Sequence, residues 1–358
     1  MGKFLVHWFG LLTMMLVLCI PAYPCTYFFL QAKDGAVVSG RSMEFFSNLY
    51  DMIDAVPGGT SFETTAPEGT KPVRWKAKYG FVAISHFGLR AYSEGLNEKG
   101  LAAGALWFAD AQYPKVEPGD EVVDALDLVG WILSNFETVE EVKAALDKVK
   151  IIARENKLFN IVPPLHHYVT DAGGNSVVLE CIDGRLKIWD NRRNGVMTNE
   201  PNLGWHLVNL RFYSNLKPHY VPVPALKDDK WWLGSGMLGL PGDYSTASRF
   251  VRTSVLKFFV EKPKDCDGAV NLAVHLLNVV DIPYGPQLWI VGEEGNVQWT
   301  SWIVVYDQTN RLFYYRTYEN QNLRRIDLKE IDLKPGTAYR SKDLFGGQGY
   351  LDDTQRFK

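Results

Sequence analysis

Past an apolar run from Trp8 to Ile20, hydrophobic and polar positions alternate in blocks that predict strands and helices in turn. Cys25 to Gln31 and Ala36 to Phe45 carry the strand pattern and are joined by the turn Lys33-Asp34-Gly35. A second strand pair runs from Tyr79 to His86 and from Arg90 to Phe108, the latter broken by Asn97-Glu98-Lys99-Gly100. Helical spacing then takes over from Asp124 to Phe136, and Thr138-Val139-Glu140-Glu141 is a capping box opening a helix to about Val149. Strands are expected again at His167 to Thr170, Ser176 to Ile182, Leu186 to Trp189 and Gly195 to Thr198, and helices at Ser248 to Val260 and Gly268 to Val280. Val297 to Tyr306 and Leu312 to Thr317 close the series, joined through Asp307-Gln308-Thr309-Asn310. Antiparallel blocks alternating with helix pairs predict an α+β fold of two sheets packed together with helices outside, four layers in all. No linker or internal repeat divides residues 25–358, so one domain is expected, with a polar, Gly-rich tail from Arg340 to Lys358.

Residues 1–24 have the make-up of an export leader. Lys3 provides a positive start, the run to Ile20 is too short for a comfortable membrane span, and Pro21-Ala22 supplies the small-residue break. An exported protein, periplasmic or secreted, is the expectation, with no stable membrane insertion after processing. Cleavage after Ala22 would leave Tyr23-Pro24 ahead of Cys25, so a second cleavage is then needed.

Composition is that of a globular protein with a sizeable core: 46% hydrophobic and 13% aromatic residues. The formal charge of −3, with acids and bases interspersed, provides no basic stripe for a phosphate backbone, which argues against a nucleic-acid partner. Without the leader three cysteines remain, Cys25, Cys181 and Cys266, so at least one thiol stays unpaired in a monomer. Cys181 closes an apolar strand and is expected as a buried structural thiol. No cysteine pair has zinc-ligand spacing, so neither a metal nor a cofactor is expected.

Cys25 stands where the leader stops and the first strand begins. As a first residue it would carry a thiol and a free α-amine together, and an amine titrating near pH ~7.7–8.0 can act as general base for its own side chain. Gly40-Arg41-Ser42-Met43-Glu44-Phe45 follows on the second strand. Further along lie Asn97-Glu98-Lys99-Gly100-Leu101-Ala102, Met197-Thr198-Asn199-Glu200-Pro201, the run from Leu240 to Phe250, and Tyr314 to Glu319. In this order, over nearly the whole chain after the leader, these segments resemble the choloylglycine hydrolase and penicillin V acylase family of linear amide C–N hydrolases.

The resemblance implies an N-terminal-nucleophile hydrolase with an αββα fold, often assembled as a tetramer, that takes a small-molecule amide. It implies Cys25 as nucleophile, Arg41 beside the sulfur, Asn199 as oxyanion donor, and Arg249 as a second catalytic arginine. Glu44 falls where the family usually has Asp and would hold the α-amine. Trp107 falls on the position whose main-chain N–H completes the oxyanion hole, and tryptophan there is similar to the Gram-negative subgroup. Phe45, Phe46, Trp107 and Phe108 are the aromatic residues nearest these segments and the expected walls of an apolar acyl pocket.

Two other classes compete. A Cys–His protease would pair Cys25 with His86, His206 or His275, and a non-catalytic exported binding protein would keep the fold without the chemistry. The substrate is left among conjugated bile salts, phenoxyacetyl penicillins and N-acyl homoserine lactones. The flat indole of Trp107 suits a single ring or an extended chain better than a steroid.

Overall fold

The structure, a computed structural model, describes residues 24–47, 49–156, 161–219, 236–291, 294–347 and 349–357. The leader expected over residues 1–24 lies outside them except for Pro24.

Strand β1 (Cys25–Gln31) and strand β2 (Val37–Phe45) form the hairpin that the sequence pattern predicts, with Cys25 opposite Met43 and Tyr27 opposite Arg41. Every residue of β1 but the last is buried, which is the mark of a strand covered on both faces. The hairpin lies in a six-stranded antiparallel sheet in the order Val196–Met197, β1, β2, Trp299–Asp307, Leu312–Thr317, Arg324–Asp327. An eight-stranded sheet faces it, with Ala102–Trp107 and Tyr92–Asn97 at its centre.

Side-chain parity along these strands builds the layers. Ala102, Leu106, Tyr168 and Val178 of the larger sheet join the core shared with β1 and β2, whereas Ala103, Ala105, Val169 and Val177 pack the other way, against Leu128 to Leu133. The helix Leu128–Asn135 therefore covers the larger sheet, and the helices Thr246–Phe259 and Cys266–Asn278 cover the smaller one. The result is the four-layer αββα sandwich expected from the sequence, and Cys181 is a buried thiol of its outer core.

Three local expectations change. The helix expected from Asp124 begins only at Leu128, because Glu121–Asp124 is a strand paired in parallel with Lys150–Ile152 and Lys71–Pro72. The capping box at Thr138 forms as expected, but its helix ends at Leu146 to free Lys150 for that same small sheet. The polar segment from Arg340 is not a free tail at its start. Arg340–Asp343 pairs with Met52–Val56 as the edge of the larger sheet, and Leu344 beyond it is fully buried. Exposed charges on an edge strand keep it from pairing with other chains, which explains its tail-like composition.

Candidate active site

The hairpin sets the geometry around Cys25. Arg41 and Met43 face the larger sheet, and the Arg41 Nη2 donates to Cys25 Sγ (3.6 Å), Met43 Sδ (3.3 Å) and the Ala105 carbonyl (3.2 Å). Its Nε lies 3.3 Å from the Glu94 carboxylate and its guanidinium sits 4.7 Å over the Trp302 ring, so the cation is held from four sides with no exposure to water. Glu94 is fully buried on the strand Tyr92–Asn97, and burial pushes its carboxyl up to about 7 against the pull of Arg41. The Tyr168 hydroxyl donates to Glu94 at 3.3 Å. Gly104 makes room for that ring: a Cβ there would stand 2.4 Å from Tyr168 Cε1.

The helix Thr246–Phe259 delivers Arg249 from the opposite side. Its Nη1 donates to the Cys25 carbonyl (2.5 Å) and Thr26 Oγ1 (2.8 Å), its Nη2 to Asn199 Oδ1 (3.0 Å), and its Nε to the Tyr244 carbonyl (3.0 Å). Asn199 Oδ1 also accepts from the Cys25 nitrogen at 2.7 Å. Two donors on Oδ1 leave Nδ2 to meet the Trp107 carbonyl at 2.9 Å, which fixes the orientation of the amide. His206, buried and stacked on Phe250, reaches the Asn199 carbonyl with Nε2 (3.1 Å) and steadies that loop. Burial pushes its imidazole down to about 4, so it stays neutral.

Several of the expected groups hold further partners here. The Asn199 amide was expected to offer its NH₂ to an oxyanion, but here that group meets Trp107 and Oδ1 holds the Cys25 nitrogen. Glu44 was expected at the α-amine, yet Oε1 accepts from Thr300 Oγ1 at 2.8 Å. Burial raises its carboxyl to about 7, with Arg249 opposing. Arg41 does favour the thiolate, but burial is the larger influence and pushes the Cys25 thiol above its ordinary value. Among the described residues no histidine hydrogen-bonds the sulfur: His206 serves Asn199, His86 is bound to Asp51, and His275 lies on the outer helix Cys266–Asn278.

A cavity of about 180 Å³ opens on Cys25, walled by Met43, Phe45, Leu49, Phe87, Trp107 and Leu165 among others. Phe45 and Trp107 stand where expected. Phe46 and Phe108 do not: alternation along the strand turns Phe108 away to stack on His166, fully buried, and Phe46 stacks against Phe45 outside the wall. The Phe108 N–H pairs with the Pro164 carbonyl across the strand boundary. Strand alternation then turns the N–H of Trp107 to the opposite edge, where the Ala105 and Trp107 carbonyls meet Arg41 and Asn199. Met43, Glu94, Thr300, Trp302 and Asp51 belong to this surround and were not anticipated, and His86 was named only as a base for the sulfur. Only Met43 had a signal, two residues from Arg41 on the same strand face.

The model of the linear amide C–N hydrolases, choloylglycine hydrolase family, matches residues 25–346. The chain belongs to this family. Like its relatives it is a hydrolase of linear amide C–N bonds with the N-terminal-nucleophile fold. It is 30% identical to the bile salt hydrolase/transferase of Clostridium perfringens over 317 residues, 86% of this chain and 94% of that protein. It is 26% identical to the penicillin V acylase of Pectobacterium atrosepticum over 352 residues, 90% of this chain and 87% of that one. Among solved structures, a variant of conjugated bile acid hydrolase from Clostridium perfringens superposes with a TM-score of 0.80 at 27% identity, covering 92% of this chain and 99% of the other. Penicillin V acylase from Agrobacterium tumefaciens does so with a TM-score of 0.73 at 26% identity, covering 92% and 94%.

Proposed function

We propose that this hydrolase cleaves amides whose acyl part is a single ring or an unbranched chain, of the phenoxyacetyl or N-acyl homoserine lactone kind, with Cys25 as nucleophile and its own α-amine as base. The size of the cavity carries the substrate half of this reading. At about 180 Å³ the space beside Cys25 is close to the ~150 Å³ apolar cavity that accepts one benzene ring, and a nucleus of four fused rings would have to extend through its open side. The flat face of Trp107 and the ring of Phe45 suit the same occupant. Side-by-side kcat/KM values for penicillin V, a long-chain N-acyl homoserine lactone, glycocholate and taurocholate are expected to rank one of the first two highest. A clear preference for the bile salts would overturn the ranking and leave the amidase assignment intact.

In this reading the thiol proton passes to the α-amine as sulfur attacks the substrate carbonyl. A thiol raised by burial calls for a base at the moment of attack rather than a standing thiolate. The tetrahedral intermediate collapses as the ammonium returns the proton to the departing nitrogen, leaving a thioester. Water, deprotonated by the same amine, then releases the acid and restores the thiol. Arg41 and Arg249 hold the sulfur and the main chain of Cys25. Asn199 Oδ1 orients the amine, and the Trp107 N–H, with Asn199 Nδ2 turned from its carbonyl partner, receives the oxyanion.

The base has to be a free amine, so residues 1–24 are absent from the working enzyme. Intact mass spectrometry of purified active protein is expected to find Cys25 first, and full activity in a form starting at Tyr23 would remove the base from the mechanism. The leader pattern supports export. Exposed Trp205, Val208 and Phe212 support a homo-oligomer.

A further inference from the structure

Beyond the groups that contact Cys25, the largely apolar wall of the cavity carries His86, paired with Asp51. His86 lines the cavity, and its Nδ1 lies 2.5 Å from Asp51 Oδ1. Asp51 is buried, and its Oδ2 accepts the Trp302 indole N–H at 2.9 Å. With Asp51 written as a carboxylate, which only accepts, the proton of the short contact is assigned to His86 Nδ1. That anchors the ring and leaves Nε2 as its polar atom for the cavity. The sulfur of Cys25 contacts Arg41 and Met43, so His86 takes no part in activating it.

An imidazole anchored in this way on the wall of a largely apolar cavity is built to meet a polar group. Were His86 present only to satisfy Asp51, Nδ1 alone would suffice. Cys25 and His86 line the same cavity of about 180 Å³, so an acyl group seated there with its amide carbon at Cys25 lies beside the wall that carries His86. We propose that His86 Nε2 is a recognition point for an oxygen substituent on the acyl group. Acyl chains carrying an ether, hydroxyl or keto oxygen near the amide are then preferred over their methylene counterparts. This rests on the reading that the cavity holds the acyl part of the substrate. One hydrogen bond to an uncharged group is worth up to about tenfold, and a methylene pressed against the unpaired nitrogen adds to the discrimination.

Matched pairs test it: phenoxyacetyl against 3-phenylpropanoyl amides of one amine, and 3-hydroxy against unsubstituted N-acyl homoserine lactones of equal chain length. The wild-type enzyme is expected to favour the oxygen-bearing member about tenfold in kcat/KM, mainly through KM. His86→Leu and His86→Phe, the second filling the volume of the ring, are expected to bring that ratio close to one, and Asp51→Asn to an intermediate value. A wild-type ratio near one overturns the proposal. So does a ratio unchanged in whichever His86 variant folds, which is the outcome if His86 merely anchors Asp51 and the substitution lowers only thermal stability. The ranking of ring against steroid substrates is a separate measurement. Faster hydrolysis of conjugated bile salts would defeat the cavity-size argument and leave the oxygen ratio to stand or fall by itself.

Discussion

Replacing Cys25 with serine is expected to abolish turnover while leaving the fold in place. The mechanism asks an amine of pKa ~7.7–8.0 to take a proton from the nucleophile. A thiol, even one raised by burial, is within reach of such a base, whereas an alcohol is many units above it. Arg41 Nη2, 3.6 Å from the sulfur, favours a developing negative charge but cannot close that gap. Removing an enzyme's nucleophile costs on the order of 10⁶ in kcat where it has been measured, and a loss of that order is expected here. The fold should hold because the contacts that fix residue 25 are main-chain ones, from its nitrogen to Asn199 and from Arg249 to its carbonyl. The measurement is kcat of a variant shown by mass to start at residue 25, with circular dichroism as the folding control. Amide hydrolysis retained in that correctly processed protein would reject Cys25 as the nucleophile.

Asn199→Ala is expected to lower kcat by about 10²–10³, the usual cost of a lost oxyanion donor, with a smaller change in KM. Two losses combine. The α-amine of Cys25 loses the Oδ1 acceptor at 2.7 Å that aims it, and the intermediate loses the side-chain amide that meets the Trp107 carbonyl. Stability falls too, because Arg249 Nη2 loses a partner in a site closed to water, at a cost of roughly 1–3 kcal/mol. Kinetics and thermal melting separate the two roles. Lower stability with kcat untouched would make Asn199 a structural residue of its turn and nothing more.

How far the sequence leads can be judged residue by residue. The strand periodicity of Cys25 to Gln31 and the capping box at Thr138 are local signals, and both elements form as expected. The strand Met52–Val56 has little alternation of its own and takes its structure from Phe81–Ser85 on one side and Arg340–Asp343 on the other. Its partner at residue 340 resembled a tail because an edge strand is written in exposed, charged residues. Phe108 was misplaced for a related reason: proximity in sequence to Trp107 says nothing about which face of a strand each occupies until the register is known.

Period, turn chemistry and the order of short motifs therefore determined the layers of this protein, the hairpin that Cys25 opens, and its membership among the linear amide hydrolases. Those properties rest on interactions within a few residues or on residue identity itself. What only the tertiary structure decided is the role of each group around the sulfur. Arg41 meets Glu94 only because two sheets stack face to face. Asn199 meets both the Cys25 nitrogen and Arg249 only because a helix from residue 246 closes over the hairpin. The balance between burial and Arg41 at the thiol depends on how completely water is excluded. Side-chain direction, burial and charge pairing across 50 to 250 positions of chain are properties of packing, and no local pattern in the sequence encodes them.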